Sequence, residues 1–241
     1  MKKIIKKIIA IILAAVTLFA LAACGTTNEP ATLGSTQSTP ESTAAKNETS
    51  NSNAASETEQ TTEPGAETKI LVVYFSRTGE QYTVGTIDKG NTAIVAEMIA
   101  EKTGADLYEI LPETDYYPYT YKELTDVAKK EQNDNARPKI KGELPDVSKY
   151  DTVFIGAPVW WGDWPMIMYT FFEQNADGLS GKKLVPFSTH EGSGLSGFDR
   201  KLESACPNST VLDGLAIRGN DCQNKQDSVR SKVSDWMSGL E

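Results

Sequence analysis

Histidine is nearly missing from this 241-residue chain: His190 stands alone. One histidine excludes a multi-histidine metal centre. The three cysteines, Cys24, Cys206 and Cys222, show neither a C-x-x-C pair nor a Cys–His metal spacing, so no metal site is expected. Basic residues are also short, 24 Lys+Arg against 33 Asp+Glu, for a net charge of −9. That balance argues against nucleic acid and against an electrostatic membrane patch. No internal repeat is evident, which argues against a solenoid. No Gly-x-Ser-x-Gly elbow follows a strand-like run, which leaves a hydrolase using His190 as base poorly supported.

The first 23 residues read as a targeting segment. Lys2, Lys3, Lys6 and Lys7 form a positive start, and residues 8–22 form an apolar run that is short for a membrane span. The run ends Leu21-Ala22-Ala23-Cys24, which resembles the bacterial lipobox. That resemblance implies cleavage before Cys24 and a diacylglycerol on its thiol. Cleavage removes four lysines and no acid, moving the net charge from −9 to −13, so the lipid is the expected anchor. Residues 25–67 are rich in Thr, Ser, Glu, Asn and Ala, with hardly a bulky apolar side chain. Such a segment cannot bury enough surface to fold. It reads as a spacer with a root-mean-square reach of roughly 35 Å. The expected domains are thus 1–23, 24–67 and a folded part, 68–241.

The folded part is organised around residues 69–92. Lys69-Ile-Leu-Val-Val-Tyr-Phe-Ser76 is an apolar, β-branched run of the kind a strand buried on both faces carries. Beyond Asn91-Thr92, the residues Ile94, Val95, Met98 and Ile99 recur at helical spacing, which predicts an amphipathic helix with Asn91 as N-cap. A helix N-terminus beyond a strand end is an anion site, because its first N–H groups lack partners and its dipole is positive there. Ser76, Thr78, Asn91 and Thr92 would add side-chain donors. Two lookalikes carry less. Gly85 and Gly90 nearly spell a nucleotide P-loop, but Asn91 stands where its lysine is needed. Gly192 to Gly197 forms a G-x-G-x-x-G that follows a late strand rather than the first one.

Further strands are predicted at 105–110, 151–156, 183–187 and 210–217. Helices are predicted at 121–133, at 165–173 with Pro165 in the first turn, within 195–204, and at 226–239. Alternation of this kind implies an α/β fold with a parallel sheet covered on both faces. Two loops stand out. Ala157-Pro158-Val159-Trp160-Trp161-Gly162-Asp163-Trp164 offers flat apolar surface at a strand end, although indoles there also serve to pack beneath the next helix. Ser188-Thr189-His190-Glu191-Gly192-Ser193-Gly194 offers close backbone approach through its glycines. For the tyrosines at 116, 117, 119 and 121 two readings stay open, a cover for the crevice or packing on a sheet edge. In an oxidising compartment Cys206 and Cys222 pair or remain separate buried thiols; the sequence leaves both open.

Ser76-Arg77-Thr78-Gly79 followed by Asn91-Thr92 resembles the phosphate loop of the flavodoxin family, Ser/Thr-x-Thr-Gly-Asn-Thr, with residues 80–90 inserted. The second and third loops resemble that family's Gly-x-Pro-x-Trp-Trp and Thr-x-x-Gly-Ser-Gly flavin loops. The resemblance spans residues 69–240 and implies a single flavodoxin-like, doubly wound, five-stranded parallel sheet of order 2-1-3-4-5. It implies FMN as cofactor, with Ser76, Thr78, Gly79, Asn91 and Thr92 at the phosphate. Pro158, Val159, Trp160, Trp161 and Gly162 would hold the ring, with Thr189, His190, Gly192, Ser193 and Gly194 along its polar edge. His190 is the weak candidate for a catalytic role. The function expected is a membrane-tethered FMN redox protein on the extracytoplasmic face of a bacterial membrane. It would transfer electrons to a redox partner there or reduce a quinone-like acceptor. The alternative is a non-enzymatic solute-binding lipoprotein using the same crevice.

Overall fold

Strand β1 (Ile70–Tyr74) lies in the interior of the sheet, as its unbroken apolar run requires. The computed structural model describes residues 68–240; the signal segment 1–23, Cys24 and the spacer 25–67 lie outside the described residues. After β1 come a hairpin, β2 (Gly79–Gln81) and β3 (Gly85–Ile87), then α1 (Asn91–Thr103), β4 (Asp106–Glu109) and α2 (Tyr121–Asn133). The chain continues through β5 (Thr152–Pro158), α3 (Met166–Gln174), α4 (Ala176–Leu179), β6 (Lys183–His190) and α5 (Phe198–Ala205). It ends with β7 (Thr210–Val211), β8 (Leu215–Arg218), α6 (Gly219–Asn224) and α7 (Gln226–Ser238). The main sheet is parallel in the order β4-β1-β5-β6-β7, with β8 also paired to β6. In terms of the five expected strands this is 2-1-3-4-5.

Side-chain alternation along the strands makes two cores. Leu71, Val73, Phe75 and Ile155 face Phe171, Phe172 and Phe198 of α3 and α5. Val72, Tyr74, Phe154 and Phe187 face Ile94, Val95, Val229 and Val233 of α1 and α7. Cys206 belongs to the first core and Cys222 to the second, so the sheet stands between two free, buried thiols. Burial pushes Cys206 up to about 11 and Cys222 up to about 12, where neither is a thiolate at neutral pH.

Several expectations are corrected. Helix α1 is buried on most of its circumference, Thr92 to Val95 included, rather than along one stripe, because α6 and α7 pack against it on the same face of the sheet. Gly90, not Asn91, is its N-cap; Asn91 is the first helical residue. Pro165 likewise precedes α3 as its N-cap rather than lying in the first turn. Strand β6 runs on to His190, so Ser188, Thr189 and His190 belong to the strand and not to the loop after it. The expected strand 210–217 is two short strands, β7 and β8. Along β6, the even-numbered residues point their backbone groups at this neighbour: Leu212 N–H donates to Leu184 O at 2.9 Å and Thr210 N–H to Lys182 O at 2.9 Å. Pro186 falls in that series without an N–H to give, and the facing chain departs from the ladder around Gly214.

Candidate functional site

At the C-terminal edge of the sheet, where the chain order reverses on either side of β1, the loops after β1, β5 and β6 enclose a crevice of about 230 Å³. One end is the first turn of α1. Ser76 Oγ accepts the Ala93 N–H at 3.0 Å, so the residue closing β1 caps α1 from outside. Gly90 is held hard against that loop: a Cβ there would fall on Ser76 Oγ and lie 2.8 Å from Arg77 O. Asn91 is oriented by Gln223 of α6, whose Nε2 donates to Asn91 Oδ1 at 2.7 Å and to Lys89 O at 2.9 Å. Gly219 makes room for the Asn91 amide, since a Cβ at 219 would fall on Asn91 Nδ2. Thr92 is buried, its Oγ1 2.8 Å from Thr189 Oγ1, which ties α1 to the end of β6.

The opposite wall is aromatic. Trp160 lines it and is backed by Phe75 and Tyr117, the three rings meeting edge to face with centroids 5.1 to 5.5 Å apart. Tyr117 and Tyr116 both donate their hydroxyls to Glu131 of α2, which is buried. Burial holds the Glu131 carboxyl above its usual range, with the two hydroxyls pulling the other way, and burial also raises Tyr116 and Tyr117. A raised carboxyl costs stability as pH climbs: the folded state keeps the proton longer than the unfolded state, so stability is fullest below the unfolded value near 4.5 and is lost through the folded one. Glu131→Gln keeps an acceptor and a donor for the tyrosines without the charge. Its thermal midpoint is expected to match the parent at pH 4 and to exceed it at pH 7 to 8. A parent that gains on the variant with rising pH would contradict this.

On the polar side, His190 Nδ1 accepts the Gly192 N–H at 2.9 Å, which leaves the proton of the neutral ring on Nε2. Burial pushes the imidazole down from 6.5, with Arg218 adding to the effect and Glu191 opposing it, so the ring is neutral at pH 7. Glu191 is occupied: one oxygen accepts Asn220 N–H at 2.6 Å and the other meets Arg218 at 3.3 Å.

Of the residues singled out in the sequence, Ser76, Asn91, Thr92, Pro158, Val159, Trp160, Thr189, His190 and Ser193 line this crevice. Thr78, Gly79, Trp161, Gly162, Gly192 and Gly194 do not. Thr78 is exposed and faces a second cavity beside β4. Gly79, at φ +88°, is where the hairpin lies against Tyr119, and a Cβ would come 2.8 Å from Tyr119 O. Trp161 is 54% exposed and lies on the far side of its loop. Gly192 and Gly194, at φ 129° and 61°, shape the turn after β6. Trp164 is fully buried beneath Phe198, the packing role open to an indole of that loop.

The residues sequence reasoning missed come from several places. Arg77 comes from the end of β1, Gln81, Tyr82 and Val84 with the hairpin, Leu124 with α2, and Glu191 and Gly219 with the β6 and β8 ends; Tyr121, one of the tyrosines left with two readings, stands beside Leu124. The inserted residues 80–90 are thus a crevice wall. Glu80 N–H donates to Tyr119 O at 3.0 Å, Glu80 Oε2 accepts the Tyr121 N–H at 2.8 Å, and Tyr82 stacks on Tyr121 at 5.5 Å. Arg77 reaches Glu80 O and Pro118 O, which closes the clip. The tyrosine segment therefore both packs and borders the crevice. The available signal was the tyrosine cluster that contains Tyr121; Tyr82, its stacking partner, belongs to no motif.

The sequence profile of the family described as Flavodoxin matches residues 69–237. Among solved structures, a Bacteroides eggerthii protein assigned as a flavoprotein is 32% identical, with a TM-score of 0.54 over 71% of this chain and 97% of its own. A similarly assigned protein from Bacteroides uniformis is 28% identical, with a TM-score of 0.55 over 69% and 98%. A flavoprotein in complex with FMN from Lactobacillus acidophilus shares the fold at 22% identity, with a TM-score of 0.51 over 66% and 99%. A search of the curated proteins finds no match. On the extent of the profile match and the identity to the B. eggerthii protein, the chain belongs to the flavodoxin family.

Proposed function

We propose that the chain is an FMN-binding redox protein. The observation that carries this reading is a single crevice with a helix N-terminus at one end and the Trp160 wall at the other. The donor set fits a phosphate monoester. The first-turn N–H groups of Asn91 and Thr92 have no intrahelical partner, and Ser76, Asn91 and Thr92 add side-chain donors. The one carboxylate on the crevice, Glu191, is neutralised by Arg218 and by its backbone bond to Asn220. Pro158, Val159 and Trp160 offer the apolar surface a fused ring needs, and Thr189 and His190 a polar edge. FMN, when bound, supplies one- and two-electron transfer.

The chain's own residues do the rest. Trp160, held by Phe75 and Tyr117, positions and shields the ring. Neutral His190 holds a proton at Nε2 and offers it as a hydrogen bond without placing a cation beside the ring. Thr189 can donate to Thr92, freeing the Thr92 proton for the phosphate. Thr92→Val is therefore expected to weaken FMN binding by about 1–3 kcal/mol, the worth of a bond to a charged group, with little loss of fold. Equal titration curves for variant and parent would contradict this.

The finer reading is that the protein passes electrons to a membrane partner or reduces a quinone-like acceptor. We place it, by the Cys24 lipid and the 25–67 spacer, on the extracytoplasmic face of a bacterial membrane. The visible spectrum of the full chain after incubation with FMN tests the class: a bound flavin spectrum, with FMN and not FAD released on heating, is expected. A colourless protein would favour solute capture instead.

A further inference from the structure

Behind the Trp160 wall lies a further cavity, of about 320 Å³, between α2 and the loop after β5. Tyr121, Leu124, Val159 and Trp160 border both this annex and the crevice, so the two spaces share a wall. Ala128 and Trp161 complete its apolar lining, and no carboxylate contributes to it.

Trp161 is the unusual member. It sits at φ 51° with Gly162 at φ 74°, and Trp160 and Asp163 exchange both backbone hydrogen bonds at 3.0 Å, a tight turn with both central residues left-handed. Glycine or asparagine would meet that need at little cost, whereas a bulky side chain there is strained. The indole is nonetheless fixed in place by α2. Its Nε1–H donates to Thr125 O at 2.9 Å, Gln132 Nε2 donates to Trp161 O at 3.3 Å, and the Lys129 ammonium lies 5.1 Å from the ring centre. An indole held against strain and left 54% exposed caps the annex on its open side.

We propose that the annex is a binding site for an uncharged, flat, fused-ring molecule of the naphthoquinone class, held beside the crevice. The lining is apolar and aromatic, which selects a flat uncharged ring. The shared Trp160 wall makes it a seat for an acceptor next to the flavin; in that role the inference rests on the proposed function, while the binding itself does not.

The test follows the tryptophan indole N–H signals by NMR in the full chain, expressed unacylated and free of flavin, as menadione is added. The Trp161 signal, assigned by its loss in Trp161→Leu, is expected to shift saturably and to do so again with FMN present. Ala128→Leu, which fills the annex without touching the crevice, should weaken menadione by about tenfold and leave the FMN dissociation constant unchanged. Trp161→Leu, at an exposed position, should weaken it similarly, read from the Trp160 signal. No shift in the parent overturns the proposal, as does competition between menadione and FMN or an unaltered affinity in both variants. A menadione shift in a chain that fails to bind FMN supports the annex and overturns the flavin reading alone.

Discussion

Trp164→Ala is expected to lower the thermal midpoint of the flavin-free chain by roughly 10 °C. Trp164 is 1% exposed, stacks on Phe198 with ring centroids 3.6 Å apart and planes 17° from parallel, and meets Phe172 edge-on at 5.5 Å. Its Nε1–H donates to Phe198 O at 3.3 Å. Truncation removes the ring, leaves a cavity between α3 and α5, and removes the indole's bond to the Phe198 carbonyl. Losses of this kind cost about 3–5 kcal/mol for a buried tryptophan. Trp164→Phe should recover most of the packing but not the hydrogen bond, and so fall between the two. A circular-dichroism melt decides; a fall of less than about 3 °C in the alanine variant would mean that the site collapses onto itself.

That packing role was one of two readings of the loop after β5, and three tryptophans in five residues could not be told apart by pattern. Spacing says that an indole lies beyond a strand end. It does not say that Trp164 turns under α5, Trp160 lines the crevice and Trp161 faces outward, because a tight turn at Trp161-Gly162 sends them three ways. The buried strands and α2 were legible because burial on both faces leaves unbroken apolar runs, and because α2 begins and ends at the expected residues Tyr121 and Asn133. The split of 210–217 was not legible. Thr-Val-Leu-Asp-Gly-Leu-Ala-Ile reads as one strand, and its interruption lies opposite a proline in another strand. Of the crevice, Ser76, Asn91 and Thr92 lay in one recognisable pattern interrupted by residues 80–90, while Thr78 and Gly79 of the same pattern face elsewhere. Tyr82, Leu124 and Gly219 arrive from the insertion, a helix and a distant strand end, and only tertiary structure brings them together; Tyr121 was legible as one of four tyrosines, with packing and crevice both open.

Gly90→Ala is expected to weaken FMN binding by roughly 100-fold or more, while costing the flavin-free fold only about 1–3 kcal/mol. The backbone at Gly90, φ −65° and ψ 144°, suits alanine, so the effect is one of space alone. The added Cβ would fall on Ser76 Oγ and lie 2.8 Å from Arg77 O and 2.9 Å from Arg77 N. Two of those three atoms are backbone, so no rotamer change relieves the clash; the β1 loop and the start of α1 must part. Parting them breaks the Ser76–Ala93 bond of 3.0 Å and draws the Ser76 hydroxyl away from the Asn91 and Thr92 N–H groups. A phosphate monoester would then lose two or more donors, each worth about 1.5–3 kcal/mol toward a charged acceptor. Gly178→Ala serves as control: its Cβ meets Val147 Cβ at 3.4 Å, neither residue lines the crevice, and FMN affinity is expected to be unchanged. Fluorescence titration with FMN measures both variants, and melts without flavin separate a lost site from a lost fold. Parent-like FMN affinity in Gly90→Ala would mean that the α1 N-terminus does not hold the phosphate.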